Sequence, residues 1–116
     1  MADVTPAVRR TAEKIPYVIW EAVATGDTIN KFALPEQWGL AGSIQISGTF
    51  GGATVKLQHS NDGSTWFDAN DLQGNPVSAS ADAIFEVSLS SAYFKVASSG
   101  GTADDVDVIL VLRGLY

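Results

Sequence analysis

From Ser43 onward apolar and polar residues alternate. Ile44, Ile46 and Phe50 share one parity, and Ser43, Gln45, Ser47 and Thr49 share the other. After Gly51-Gly52 the pattern resumes, with Val55, Leu57 and His59 set against Thr54, Lys56, Gln58 and Ser60. A period of two marks a strand with one face in a core and one in water. Asn61-Asp62-Gly63 tolerates positive φ and local side-chain hydrogen bonding, so the chain is expected to reverse there and return as a strand carrying Trp66, packed into the core.

The same reading places a first strand over Ile15–Ala24, apolar on both parities, with Pro16 marking an edge or the start of the strand. Thr25-Gly26-Asp27 turns it into a weaker segment, Thr28–Leu34, which ends in a Pro35–Gly39 loop. Later strands are expected over Ile84–Leu89 (Phe85, Val87 and Leu89 on one face), Tyr93–Ser98 (Phe94 and Val96 inward) and Val106–Arg113. Residues 69–82, rich in Asn, Asp, Gly, Pro and Ser, read as surface loop. Residues 1–14 show neither strand nor helix periodicity and read as an extended N-terminal arm, leaving residues 15–116 as one domain. Six or seven strands about 8 to 14 residues apart, with no amphipathic helix, predict an all-β chain. The expected architecture is an antiparallel, jelly-roll-like β-sandwich or a small barrel.

Composition narrows the chemistry. A chain of 116 residues is one domain by size, and with no cysteine it has neither disulfides nor thiolate metal sites. No apolar run approaches the roughly 18 residues of a membrane span, and no secretion signal opens the chain, so no membrane contact and synthesis without export are expected. The net charge is −6. Arg9, Arg10 and Lys14 give the arm a small positive balance, while Lys31, Lys56, Lys95 and Arg113 are scattered through an acidic body. Nucleic acid is therefore not an expected partner.

No residue pattern points to catalysis. His59 is the single histidine and shares parity with core positions, with no Gly-x-Ser-x-Gly elbow to accompany it. Asp68, Asn70 and Asp71 suggest calcium, but counting from Asp68 an EF-hand would need an oxygen ligand where Leu72 stands, and Gly74 falls one position late. Ser60–Trp66 resembles an Asp-box turn with one residue missing, a structural motif found once here. Glu21, Asp68, Asp82 and Glu86 could meet in space as acid pairs, although nothing in the sequence singles them out. The reading is of a non-enzyme without cofactor or metal.

One resemblance gives a function. Thr54-Val55-Lys56-Leu57-Gln58, then Ser60-Asn61-Asp62-Gly63-Ser64-Thr65-Trp66, resembles the hairpin of head-decoration and related structural proteins of tailed bacteriophages. Phe85-Glu86-Val87, Tyr93–Gly101 and a terminal apolar strand follow in the order that family suggests, so the resemblance spans roughly residues 40 to 113. It implies a virion protein that is made in the host cytoplasm and decorates or cements the capsid exterior. Its expected partners are the major capsid protein and itself, as dimer or trimer.

Candidate partner contacts are Arg9 and Arg10 in the arm, which suit pairing with carboxylates, and Tyr17, Trp20 and Trp38 as aromatic anchors. Trp38 is either tucked under a sheet edge or presented to a partner. Ile109 and Val111 are added because the last strand, with Val106, Val108, Leu110 and Leu112 on one parity, is apolar on both faces in its later half. A tail, connector or head-fibre component is the alternative within the particle. A carbohydrate-binding sandwich using Trp38, Tyr17 or Trp20 is the alternative outside it.

Overall fold

The computed structural model describes residues 2–33, 41–88 and 91–113; Leu34, the Pro35–Gly39 loop with Trp38, Leu89 and the side chains of Leu112 and Arg113, named above, lie outside that description. Twelve strands make two packed sheets and a short parallel pair, and no helix occurs among the described residues. The larger sheet runs β10 (Ala83–Ser88), β6 (Ala41–Thr49), β12 (Asp105–Arg113), β3 (Pro16–Val23), β2 (Ala7–Arg10), antiparallel at every step. The smaller runs β5 (Phe32–Ala33), β11 (Tyr93–Ser99), β7 (Thr54–Ser60), β8 (Phe67–Asp68), with β9 (Ser78–Ala79) also on β7. The expected all-β sandwich is what forms.

The core comes from the parity the pattern pointed to. Val18, Trp20, Ile44, Ile46, Val108 and Leu110 from the larger sheet meet Val55, Leu57, Phe94 and Val96 from the smaller. Trp20 is fully buried, and its indole N–H donates to the Asn30 carbonyl at 3.0 Å, so its one polar atom is satisfied. Pro16 begins β3 rather than marking an edge, because β3 has neighbours on both sides. The apolar run on both parities of β3 has a physical cause in part. Ala22 adopts φ 56° and donates its N–H to Asp107 Oδ1 at 2.9 Å, and the register with β12 shifts there. This bulge lets Val23 rejoin Trp20 in the core although the two lie three residues apart.

Three expectations are corrected. The N-terminal segment is not an unstructured arm: Asp3–Val4 (β1) pairs in parallel with Thr28–Ile29 (β4), Val4 is buried, and β2 extends the larger sheet. An edge strand of four residues needs only main-chain pairing and leaves its side chains in water, so it carries no alternation to read. Residues 69–82 are likewise not simply loop. β8 and β9 follow one another along one edge of β7, with Leu57 accepting from Ala69 N–H (2.9 Å) and donating to the Val77 carbonyl (3.2 Å) between them. Ala69, Val77 and Ala79 are buried as a result. The turn chemistry belongs to the tip alone, where Asp71 Oδ1 accepts from the N–H groups of Gln73 and Asn75, both at 2.9 Å.

Trp66 is the third. His59 pairs with Phe67 and Gln58 with Asp68, so Trp66 and Asp68 fall on the outer parity of the smaller sheet. A turn with an odd number of residues, Asn-Asp-Gly or the longer one that forms, leaves even-numbered residues on the outer parity, so register overrides the apolar character that suggested the core. Trp66 lies half-buried with the Lys95 ammonium 4.7 Å from its ring centre, a contact worth about 0.5–1 kcal/mol when exposed.

Two carboxylates fasten the turns. Asp104 is buried at the β11–β12 connection, and its Oδ2 accepts from Thr25 N–H (2.8 Å), Thr25 Oγ1 (3.0 Å) and Ser98 Oγ (3.0 Å). Burial pushes its pKa up, but these donors outweigh burial and hold it below the usual carboxylate value. Asp62 Oδ1 accepts from Thr65 N–H and Ser64 N–H, both at 2.8 Å, and from the Ser60 hydroxyl, which together depress its pKa strongly. A carboxyl depressed on folding contributes stability above its unfolded pKa of about 4 that is lost as pH falls through the folded value. Acid unfolding is therefore expected to steepen below about pH 4, and in Asp62→Asn the difference in urea midpoint between neutral and acid pH should shrink. An unchanged difference would assign the acid limb elsewhere.

Candidate interaction surface

The outer faces of the two sheets differ in kind. On the smaller sheet the face is polar and already occupied. The Asn61–Trp66 loop folds back over it, with Trp66 under Lys95 and Tyr93 under Lys31 (5.3 Å). The absent side chain of Gly63 makes room for this: a Cβ there would lie 3.1 Å from Lys31 Nζ and 3.5 Å from the Tyr93 ring. Asp68 takes Gln58 Nε2 at 3.0 Å and Lys56 Nζ at 3.4 Å, and the Gln58 and Lys56 contacts lower its pKa. Asp68 is thus committed to neighbours, and Asp71 to its own turn.

The larger sheet keeps apolar groups on its outer face. The register sets them in rows across the strands. One row is Ala7, Ile19, Ile109, Gln45, Ile84, and each neighbour is a direct Cα partner. The next begins with Arg9 beside Tyr17 and ends with Val111, Ser43 and Glu86. The Val18–Leu110 pairing brings Tyr17 and Val111 alongside each other. Tyr17, Ile109 and Val111 are half-buried, and Ile84 is 65% exposed. Ile19 is covered by its neighbours, beside the Arg9–Glu21 ion pair. An antiparallel sheet of a sandwich ordinarily gives this face to water and polar residues; here Tyr17, Ile19, Ile109 and Val111 form an apolar patch, separated from Ile84 by exposed Gln45, and exposed apolar patches mark interaction sites.

The sequence candidates are distributed unevenly over this frame. Tyr17, Ile109, Val111 and Arg9 come together on the outer face of the larger sheet. Trp20 does not: it sits on the opposite face of β3 in the core, which excludes it as a partner contact or a sugar platform. Arg10 lies on the opposite parity of edge strand β2, next to Val8, which is 55% exposed, and its Nη1 donates to the Lys14 carbonyl at 3.1 Å. Ile84 was missed although the strand holding it was expected, because a single exposed isoleucine means nothing until register places it in a row.

A concave feature of about 510 Å³ is lined by His59, Ser60, Asn61, Asp62, Thr65, Phe67 and Ser91. His59 Nδ1 hydrogen-bonds Ser91 Oγ at 2.9 Å. A base of this type is oriented by an acid, and the nearby Asp62 binds its own turn and Ser60 instead. Among the described residues, no three His, Cys, Asp or Glu side chains gather in a way that could hold a metal ion.

Fold and surface together define a small two-sheet β protein whose larger sheet carries an apolar outer stripe with charges at both ends. Neither protein-family models, nor curated proteins, nor solved structures match the chain.

Proposed function

We propose that this chain is a structural protein of a tailed-bacteriophage particle that binds the assembled capsid shell from outside and stabilises it. The observation that carries the reading is the outer face of the larger sheet, where Tyr17, Ile109, Val111 and Ile84 mark a chain that works within an assembly rather than alone. The hairpin resemblance supplies the class of particle. The mechanism is mass action: a protein that binds only the assembled shell lowers the free energy of that state, and several contacts made at once multiply the effect.

Shell contact falls to edge strand β2 and the turn after it. Arg10 and Lys14 stand exposed there on a chain whose net charge is −6, and exposed cations on a sheet edge attract an acidic partner while discouraging non-specific strand pairing. Purified protein should co-sediment with shells that lack it and raise their resistance to heat. Arg10→Glu combined with Lys14→Glu should weaken that binding about tenfold or more at low salt, with an unchanged thermal midpoint, and added salt should narrow the gap. Binding to purified tails but not to shells would move the protein to a tail or connector position. Binding to neither would overturn the reading.

A further inference from the structure

We propose that the outer face of the larger sheet is covered by the same face of a second copy of this chain, the two related by a two-fold axis parallel to β12. The inference deepens the assembly reading above, because such a pair brings the turns that follow its two β2 strands to one end, yet it is measured on purified protein alone.

The strand order makes β12 the central strand of five, with β3 and β2 on one side and β6 and β10 on the other. Rotation by half a turn about an axis along β12 lays the face on itself, exchanging β2 with β10 and β3 with β6 at equal height. The charge pattern is complementary under this operation. Arg9 and Glu86 stand at opposite ends of one row, so each Arg9 meets the partner's Glu86, twice per pair. In the neighbouring row the small Ala7 receives the exposed Ile84. Ile109 and Val111, on the axis, pack against their own counterparts at the roughly 10 Å separation of facing sheets.

Within one chain Arg9 binds Glu21, while among the described residues the Glu86 side chain makes no hydrogen bond or ion pair. A guanidinium has donors enough for a second carboxylate. Rotation about an axis in the sheet plane but perpendicular to the strands would return β2 to β2 and leave both Glu86 carboxylates on the same side without a cation. The charges therefore select one isologous arrangement, as a closed pair requires. On the smaller sheet the outer parity of β7 is Thr54, Lys56 and Gln58, and the exposed Phe67, the partner of His59, lies on the other parity.

Sedimentation velocity over a micromolar concentration series tests this, with thermal melts confirming that each variant is folded. The expected result is a dimer for the unaltered chain and a monomer for Ile109→Asp. Arg9→Glu and Glu86→Arg should each weaken the dimer about tenfold or more, and the two combined should restore it, because the exchange re-creates both pairs. A monomer at every concentration, a higher oligomer, or a combined variant no tighter than the single ones would overturn the proposal. A monomeric Glu86→Arg that still binds shells would leave the functional reading standing. A dimer that ignores shells would sink that reading and not this one.

Discussion

Trp20→Ala is expected to remove about 3–5 kcal/mol of stability, out of a total of about 5–15 kcal/mol for a domain of this kind. The indole is fully buried between the two sheets, next to the bulge that carries Val23 back into the core. Truncation leaves a cavity whose walls belong to both sheets and therefore cannot collapse from one side. It also leaves the Asn30 carbonyl without its donor. Urea denaturation followed by far-ultraviolet circular dichroism would show the midpoint falling toward zero denaturant. Trp20→Phe separates the contributions: it retains much of the volume, loses the hydrogen bond, and should cost about 1–3 kcal/mol. A loss below about 1 kcal/mol for the alanine variant would contradict the core placement.

Gly48→Ala is the second large effect, through the backbone rather than the core. Gly48 sits inside β6 opposite Val106 with φ 140°, and a Cβ there would lie 2.4 Å from the Asp105 carbonyl oxygen. That oxygen is main chain and cannot swing aside. An L residue in this region costs about 1–3 kcal/mol, and the forced displacement adds a similar amount, about 1–3 kcal/mol. The same unfolding measurement should show a loss of roughly 2–5 kcal/mol, with soluble expression falling. Gly74 is the control: it also has positive φ (85°), but a Cβ there would meet nothing within 4 Å. Gly74→Ala should cost only the conformational strain, about 1 kcal/mol.

The long alternating strands were legible because their physics is local. Ile44 and Ile46 in β6, Val55 and Leu57 in β7, Phe94 and Val96 in β11, and Val106, Val108 and Leu110 in β12 are buried at alternate positions, and that period can be counted. What was not legible depends on distance along the chain. β2 is visible only once β3 is known to lack a neighbour on that side. Trp66 reads as core by its apolar bulk, whereas the register of β8 on β7 puts it on the outer parity. Trp20 and Tyr17, equal as aromatics in one strand, are separated by parity, and the apolar residues on both parities hid which was which. The interaction surface was half-read: Ile109 and Val111 betrayed themselves by breaking alternation, while Ile84, Glu86 and the balance of charge across the face exist only in the register. Asp104 gave no signal, since one acid among 13 acquires meaning only when Thr25 and Ser98 are brought to it.

The central position of β12 also orders events during synthesis. Every member of the smaller sheet precedes β12 in the chain, so β5, β11, β7, β8 and β9 need nothing from β12 to pair. The larger sheet cannot be completed without it. Until β12 emerges, β10–β6 and β3–β2 are two separate ladders, each with an open inner edge and an apolar face, the hallmarks of an aggregation-prone intermediate. Their union awaits contacts such as Val18 with Leu110, made across almost the whole chain. A message broken before β12 therefore yields two unpaired ladders rather than a slightly smaller sandwich, and quality control for this protein is concentrated in its last strand.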